Sequence, residues 1–234
     1  MKRLFTPGIA LVVFLAALTT VPPQQAHGQS AGLVSSVLSR LQKNHETLKS
    51  LRASITMEKY DSRLREKDFY SGAMAYMPGV GKNAYVRLEW SKPQHEILGV
   101  IKGNYVLYRP HINTVYIGRT GGKGPGGDDS EILTMLSMSS TELQDRFQPF
   151  QDVREELLEG GVKATHLKLV PLKPMSFNYA EVWVDSTGMP IQTKIVEKNG
   201  DATTVWLSNL EKNRKLSVDE FVVKYDPSAK IIKG

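Results

Sequence analysis

The stretch from Tyr70 to Arg119 alternates apolar and polar residues in four short segments that Pro and Gly residues separate. The segments are rich in Val, Ile, Tyr and Trp, which favour β-strands. In the second segment Val86, Leu88 and Trp90 alternate with charged residues, so one face of the strand is apolar and the other polar. The pattern predicts consecutive antiparallel strands of a curved sheet around an apolar interior.

An amphipathic helix is predicted before these strands, over Ala31 to Lys49. Its apolar residues recur three and four positions apart, as they do on one face of a helix. They are Val34, Val37, Leu38, Leu41 and Leu48. Residues 51–57 then alternate as a half-buried strand does, and the charged span from Asp61 to Asp68 is interpreted as a wide hairpin connection.

The C-terminal half indicates further strands with marked turns between them. Gly160-Gly161, Gly188-Met189-Pro190 and Asn199-Gly200 are turn sequences, and Asn-Gly is among the best hairpin formers because both residues accept positive φ. The predicted strands cover residues 153–158, 163–170, 178–185, 191–197 and 203–210. With the earlier strands this makes about ten, together with a few helices, which predicts an antiparallel sheet that curls.

A glycine-rich run at residues 121–127 interrupts the pattern, because such a sequence does not hold regular structure. It lacks the Walker spacing of a phosphate-binding loop, so nucleotide binding is not predicted. We interpret the run as a flexible hinge in front of a mobile cover.

Two short helices are predicted in this cover, starting near Ser130 and Ser140, because two residue pairs have capping-box spacing. The pairs are Asp128 with Glu131 and Ser139 with Glu142. The first helix is unusually apolar. Its methionines suit repacking around varied apolar partners, and they suit plain filling of a core equally well.

The N-terminus has the pattern of a signal peptide. Lys2 and Arg3 precede an apolar run from Ile9 to Val21, and small residues end it at Gly28. The run is too short to span a bilayer comfortably. We therefore expect residues 1–28 to be cleaved, leaving a single domain over residues 29–234 in the periplasm. The alternative is an uncleaved N-terminal anchor.

Charge and composition narrow the classes of function. Without Lys2 and Arg3, 28 of the 30 basic residues remain against 24 acidic ones, a net charge of +4. This mildly basic chain is compatible with transient contact with a membrane surface, and it falls short of a nucleic-acid-binding surface. The chain has no Cys, which excludes disulfides, a thiol nucleophile and an acylated N-terminal Cys.

No catalytic motif is visible, so the protein is not expected to be an enzyme. The five His residues form no metal-ligand pair, and no G-x-S-x-G motif occurs. No metal or cofactor is expected. Arg87 and Glu89 lie two apart on one strand, and we interpret them as a solvated ion pair, not as an acid-base couple.

An ordered series of motifs from the first helix to the C-terminus resembles the LolA family of outer-membrane lipoprotein carriers. The series comprises the alternation ending in Trp90, the Lys102-Gly103 turn before Tyr105 to Tyr108, Val184-Asp185 with Gly188-Met189-Pro190, Asn199-Gly200, and the closing stretch Leu216 to Pro227. Each motif alone is only weakly specific, but the order in which the motifs occur along the chain is distinctive.

The resemblance implies a mainly β fold of α+β type: an open, strongly curved antiparallel sheet, an incomplete barrel of about ten or eleven strands, capped by a few helices. It implies an apolar cavity for the acyl chains of lipoproteins or lipids, under a lid formed by Ser130 to Met138. The candidate cavity and lid residues are Val37, Leu41, Met74, Tyr76, Val86, Leu88, Trp90, Leu107, Ile132, Leu133, Leu136 and Met138.

The same resemblance implies a function and partners: transfer of lipoproteins from an inner-membrane ABC exporter to an acceptor at the outer membrane. The chain departs from the family at Met77, where well-studied members have an Arg that latches the lid. A second hypothesis is a lipid- or lipoprotein-binding sensor, or an accessory protein of a transporter, on the same fold.

Overall fold

The computed structural model describes residues 26–79, 84–120 and 139–234, with side chains from residue 31 onward. These residues form two α-helices, α1 (Ala26–Thr47) and α2 (Ser140–Arg146). The strands are β1 (Leu51–Asp61), β2 (Glu66–Met77), β3 (Tyr85–Lys92), β4 (Glu96–Ile101), β5 (Asn104–Arg109), β6 (Thr114–Arg119), β7 (Gln151–Leu157), β8 (Lys163–Leu169), β9 (Phe177–Asp185), β10 (Pro190–Glu197), β11 (Ala202–Lys212) and β12 (Lys230–Lys233).

One sheet contains all of these strands, in the order β12, β6, β5, β4, β3, β2, β1, β11, β10, β9, β8, β7. The sheet is curved and open, and its two edges do not close into a barrel. The predicted fold class is therefore confirmed. Two details differ within the described residues: there are twelve strands instead of ten or eleven, and β12 pairs with β6 in parallel.

The alternation along β1 gives the sheet an inner face, which we define by the four buried residues that point to it. They are Leu51, Ala53, Ile55 and Met57. Helix α1 packs in the same cluster through Val37 and Leu41, which are 0% and 3% exposed. The outer face carries the intervening, more polar residues. Burial of the apolar rows on the inner face stabilises the curved arrangement.

The helices and the C-terminal strands largely follow the sequence pattern. Helix α1 starts at Ala26 instead of Ala31, because residues 26–30 lack the apolar repeat on which the prediction depended. The helix predicted near Ser140 is confirmed as α2, and the one near Ser130 lies outside the described residues. The five predicted C-terminal strands are present, each within about two residues of the expected ends.

The predicted wide connection from Asp61 to Asp68 is wrong. Strand β1 extends to Asp61 and β2 already starts at Glu66, with residues 61 and 66 paired. The turn is tight because the Asp61 carboxylate accepts hydrogen bonds from the backbone N–H groups of Arg63 and Leu64, at 2.8 and 2.9 Å. Arg65 completes the turn with a φ of 58°. Asp61 and residues 66–68 therefore belong to paired strands, and only residues 62–65 form the turn between them.

The residues between β11 and β12, 213–229, form what we call the C-terminal segment, and it covers the outer face over β3, β4 and β5. Phe221 and Val223 are buried there, and a Cβ on Gly99 would lie 2.6 Å from the Phe221 carbonyl oxygen. The Tyr85 and Phe221 rings are 5.8 Å apart, and the Arg87 guanidinium donates to the Val222 carbonyl at 3.2 Å. Beyond this cover, the outer face of β9, β10, β11, β1 and β2 remains accessible.

Candidate functional site: the apolar inner face

Rows of apolar side chains cross the inner face from strand to strand. The first row joins Met74 of β2, Leu88 of β3, Leu98 of β4 and Leu107 of β5, each opposite the next in the hydrogen-bonded register. The second row joins Tyr76, Val86, Val100 and Tyr105 in the same way. Directly opposite side chains in a sheet contact each other, so the rows form a continuous apolar surface.

Eight of the predicted site residues lie together in this surface. Strands β2, β3 and β5 supply Met74, Tyr76, Val86, Leu88, Trp90 and Leu107, and α1 supplies Val37 and Leu41. Tyr76 is half-buried and the other seven are at most 5% exposed. The remaining four, Ile132, Leu133, Leu136 and Met138, lie outside the described residues. That these residues bind a ligand stays a prediction.

The sequence interpretation missed several residues of the same surface. Leu98, Val100 and Tyr105 continue the two rows and are at most 7% exposed. The alternation in Asn104–Arg109 could have identified Tyr105, since the inward residues of a strand are spaced by two. Leu98 and Val100 were harder to find: both faces of β4 are covered, so apolar residues occupy nearly every position and the period of two is hidden.

A polar clamp holds α1 at the β8–β9 side of the inner face. The Arg40 guanidinium donates to the Asp185 carbonyl oxygen at 2.9 Å and to the Thr165 hydroxyl at 2.8 Å. The backbone of Gly188 packs directly beneath the helix, because a Cβ there would lie 2.0 Å from the Arg40 carbonyl oxygen. The clamp sets where α1 crosses the sheet.

A second set of hydrogen bonds fixes the C-terminal end of α1. The Lys212 ammonium donates to the Asn44 side-chain oxygen at 3.1 Å and to the Thr187 hydroxyl at 2.6 Å. Partial burial lowers the pKa of Lys212 from its usual value. On the other side, the Ser140 hydroxyl of α2 donates to Gln42 at 2.8 Å. Helix α1 is thus tied both to the sheet and to α2.

The chemistry of the two inner rows is apolar, apart from the phenol groups of Tyr76 and Tyr105. The predicted ion pair of Arg87 and Glu89 is confirmed at 2.9 Å and lies on the outer face, where the Arg87 side chain lowers the pKa of Glu89. In the described residues no three His, Asp or Glu side chains are grouped to hold a metal ion. The inner face can therefore bind a ligand chiefly by burying apolar surface.

None of the helices in the described parts of the chain combines the length and the apolar character needed to cross a membrane.

No family model matches the sequence, and no curated protein matches it. Solved structures do match. An uncharacterised conserved protein from Thermus thermophilus has a TM-score of 0.52 at 14% identity, over 86% of this chain and 98% of that one. MucB has a TM-score of 0.53 at 13% identity, over 85% of this chain and 65% of MucB.

A LolA superfamily protein from Nitrosomonas europaea also matches, with a TM-score of 0.39 at 11% identity, over 81% of this chain and 97% of that one. At these identities the likeness is one of fold. The mainly β fold with an open, curved antiparallel sheet that the sequence predicts is confirmed.

Proposed function

We propose that this protein is a periplasmic carrier that binds the acyl chains of lipoproteins or lipids on its inner face and releases them to another membrane. The proposal depends on one observation above all: apolar side chains in register form continuous rows across the inner face from β2 to β5. A surface of this kind binds its partners by burial of apolar area.

The size of the inner face is the first support. Twelve strands about 4.8 Å apart make a sheet roughly 53 Å wide along its curve. After the expected cleavage at Gly28, residues 29–47 of α1 form a helix roughly 29 Å long and about 10 Å across. Arg40 clamps α1 at the β8–β9 side, and the row residues on β2 to β5 other than Tyr76 are at most 7% exposed. A guest chain would therefore bind by taking the place of the groups that cover these rows, and a lid that opens would permit this.

The position of the predicted lid in the chain is the second support. Strand β6, which precedes it, lies next to one edge of the sheet. Helix α2, which follows it, lies beside α1 and close in sequence to β7, and β7 is the other edge. A cover for an open sheet would be expected to join such elements, so residues 130–138 are suited to form it.

A carrier must shield its guest and still release it. Exposing an acyl chain to water costs about 0.8 kcal/mol for each CH₂ group, so transfer through an aqueous compartment requires shielding. An apolar surface without directional polar contacts gives affinity that grows with chain length and releases the guest when a better apolar site is offered. Receipt from an inner-membrane ABC exporter and delivery to an outer-membrane acceptor follow from the family resemblance and are part of the proposal.

Displacement of an apolar dye by a triacylated peptide tests the binding. We expect the parent protein to take up N-phenyl-1-naphthylamine and to exchange it for the triacylated peptide, and not for the same peptide without acyl chains. The variant Leu136→Asp should stay folded and lose uptake, because a carboxylate facing the guest would be left desolvated. The matched control is Leu64→Asp, since Leu64 is 68% exposed in the β1–β2 turn.

The stability of the Leu136→Ala variant distinguishes a lid over a guest cavity from a segment packed into a solid core. Truncation of a Leu to Ala in a solid core lowers the unfolding free energy by about 2–5 kcal/mol. Truncation of a Leu that already borders a cavity lowers it less. We expect a smaller loss of unfolding free energy together with weaker dye binding. A Leu136→Asp variant that unfolds outright, or that binds the dye as the parent does, would contradict the proposal.

The alternative of a lipid sensor or transporter accessory protein has one observation in its favour, the likeness of the fold to MucB, a protein whose complex with MucA from Pseudomonas aeruginosa has been solved. A sensor would form a stable complex with a protein partner only when loaded with the triacylated peptide. A carrier would instead pass the peptide to acceptor membranes, which a transfer assay measures.

A further inference from the structure

A groove with a volume of about 580 Å³ lies on the outer face, opposite to the apolar inner face. We call it the outer groove. It is formed by outward side chains of β2, β1, β11, β10 and β9, the part of the sheet that the C-terminal segment does not cover. Two of the three Trp residues of the chain, Trp183 and Trp206, line it, although the proposed function uses neither.

The strand register arranges the groove in three rows. In one row Trp206, Gln192 and Trp183 are opposite one another on β11, β10 and β9. In the next row, two residues further along each strand, Glu58, Thr204, Lys194 and Glu181 are opposite one another. In the third row Tyr60 and Tyr179 flank Ala202 and Val196.

Aromatic side chains therefore stand on both sides of a polar row, and small residues separate the two Tyr side chains. Neighbouring rows are about 7 Å apart along the strands, and neighbouring positions within a row are about 4.8 Å apart. Trp183 is only 7% exposed, and the Lys168 ammonium lies 4.3 Å from the centroid of the Tyr179 ring. An elongated ligand could contact the half-buried Trp206 and Tyr60 rings and the polar row at once.

The Trp183 ring is held in place before any ligand arrives. Its indole N–H donates to the Glu156 carboxylate at 2.5 Å, and the ring lies 4.7 Å from the His166 ring. His166 is fully buried and its Nδ1 is 2.8 Å from the Asp152 carbonyl oxygen. Because the Trp183 side chain is 7% exposed, it forms the base of the groove and offers a ligand little surface of its own.

The charges that line the groove are balanced. Among the described lining residues two carboxylates and two ammonium groups occur, and they form the pairs Glu58 with Lys67 at 3.0 Å and Glu181 with Lys194 at 3.7 Å. The groove offers no net charge to a ligand. A phosphate or a nucleic acid would meet two carboxylates, and an acyl chain would bury paired charges against hydrocarbon.

Hydroxyl groups suit this lining, because a hydroxyl both donates and accepts hydrogen bonds. The Glu side chains accept, the Lys side chains donate, and Gln192 does both. A sugar ring combines apolar C–H faces, which pack on aromatic rings, with a rim of hydroxyl groups. We infer that the outer groove binds an uncharged oligosaccharide chain, independently of the acyl-chain binding proposed for the inner face.

Calorimetric titration with three uncharged hexasaccharides, maltohexaose, cellohexaose and chitohexaose, tests the inference. We expect saturable binding of at least one of them by the purified full chain. Trp206→Ala should weaken that binding about tenfold or more, since it removes one aromatic wall. Tyr60→Ala, on another strand, keeps the test decisive if Trp206→Ala does not fold.

Two controls distinguish this site from the inner face. Tyr225→Ala removes a partly exposed aromatic side chain outside the groove and should bind the hexasaccharide as the parent does. Leu136→Asp, where it is folded, should also keep that binding, whether or not it takes up the acyl-chain probe. Absence of binding by all three hexasaccharides at millimolar concentration, or equal affinity of the parent and both groove variants, would overturn the inference. Phosphatidylglycerol vesicles that bind through Trp206 in place of the sugars would overturn it too.

Discussion

Gly188 shows how one residue can serve both a turn and a packing contact. The Asp185 carboxylate accepts hydrogen bonds from the backbone N–H groups of Thr187 and Met189, both at 2.8 Å, and Gly188 completes the turn with a φ of +83°. The same glycine lies under Arg40 of α1. The turn could be predicted from the sequence, because Asp and Gly favour such turns locally. The contact with α1 could not, because 148 positions separate these residues in the chain.

Substitution of Gly188 by Ala tests whether this contact sets the position of α1. The left-handed backbone alone costs a residue with a Cβ about 1–2 kcal/mol. The added Cβ would also collide with the helix backbone, which cannot rotate away as a side chain can. We expect Gly188→Ala to lower the unfolding free energy, measured in urea, by at least about 2 kcal/mol more than the control Gly160→Ala does.

The control residue Gly160 has a φ of +78°, and an added methyl group there would have nothing within 4 Å, so the variant reports the backbone strain alone. Equal losses for the two variants would show that α1 moves away freely and that the clamp does not determine its position.

Helix α2 is the element for which local sequence rules worked best. The Ser139 hydroxyl accepts from the Glu142 N–H at 3.2 Å, and the Glu142 carboxylate accepts from the Ser139 N–H at 3.0 Å. This hydrogen bond from the Ser139 backbone lowers the pKa of Glu142 from its usual value of 4.5. A lowered pKa in the folded state means that the carboxylate stabilises the fold above pH 4.5, and that the effect is lost as the pH falls through the lowered value.

The unfolding free energy that is lost when this capping box is removed should therefore depend on pH. At neutral pH we expect Ser139→Ala to lower the unfolding free energy by about 1 kcal/mol. At about pH 3 the difference between Glu142→Gln and the parent should shrink, because the parent's own carboxylate is then becoming protonated. Urea unfolding at both pH values measures this. If Glu142→Gln lowered the unfolding free energy by the same amount at both pH values, the charge of Glu142 would not contribute to the cap.

Other elements were predicted less well, for identifiable reasons. Charged residues suggested a loop over Asp61 to Asp68, but residues 66–69 of β2 precede the pairing with β3 and are exposed on both faces, so this part of the strand tolerates charge. The parallel pairing of β12 with β6 depends on the path of the C-terminal segment across the outer face. That path is set by the burial of Phe221 and Val223 against distant strands, which no local pattern reveals.

At the scale of the whole molecule, the two faces of the sheet could be predicted to different extents. The inner face follows from alternation, since apolar residues that point inward from successive strands share one surface. The outer groove depends on which strands are neighbours: β1 pairs with β11, and this brings Tyr60 and Trp206 to the same surface. Alternation shows that these residues point outward, and it does not show that they lie close together.

The identity of a guest is likewise beyond what the pattern of residues can specify. Apolar rows such as Met74 to Leu107 define a surface that accepts hydrocarbon of many kinds, because burial of apolar area is not directional. Selectivity between lipids would arise from polar contacts with their head groups. Those contacts depend on the bound complex.

Native mass spectrometry of the protein purified from a bacterial periplasm, followed by extraction and identification of the bound molecules, tests the central claim most directly. We predict a bound population carrying roughly one acylated molecule per chain, which the control Leu64→Asp keeps and Leu136→Asp loses. A parent protein that carries no acylated molecule, and that also fails to take up a triacylated peptide when one is supplied, would contradict the proposed carrier function.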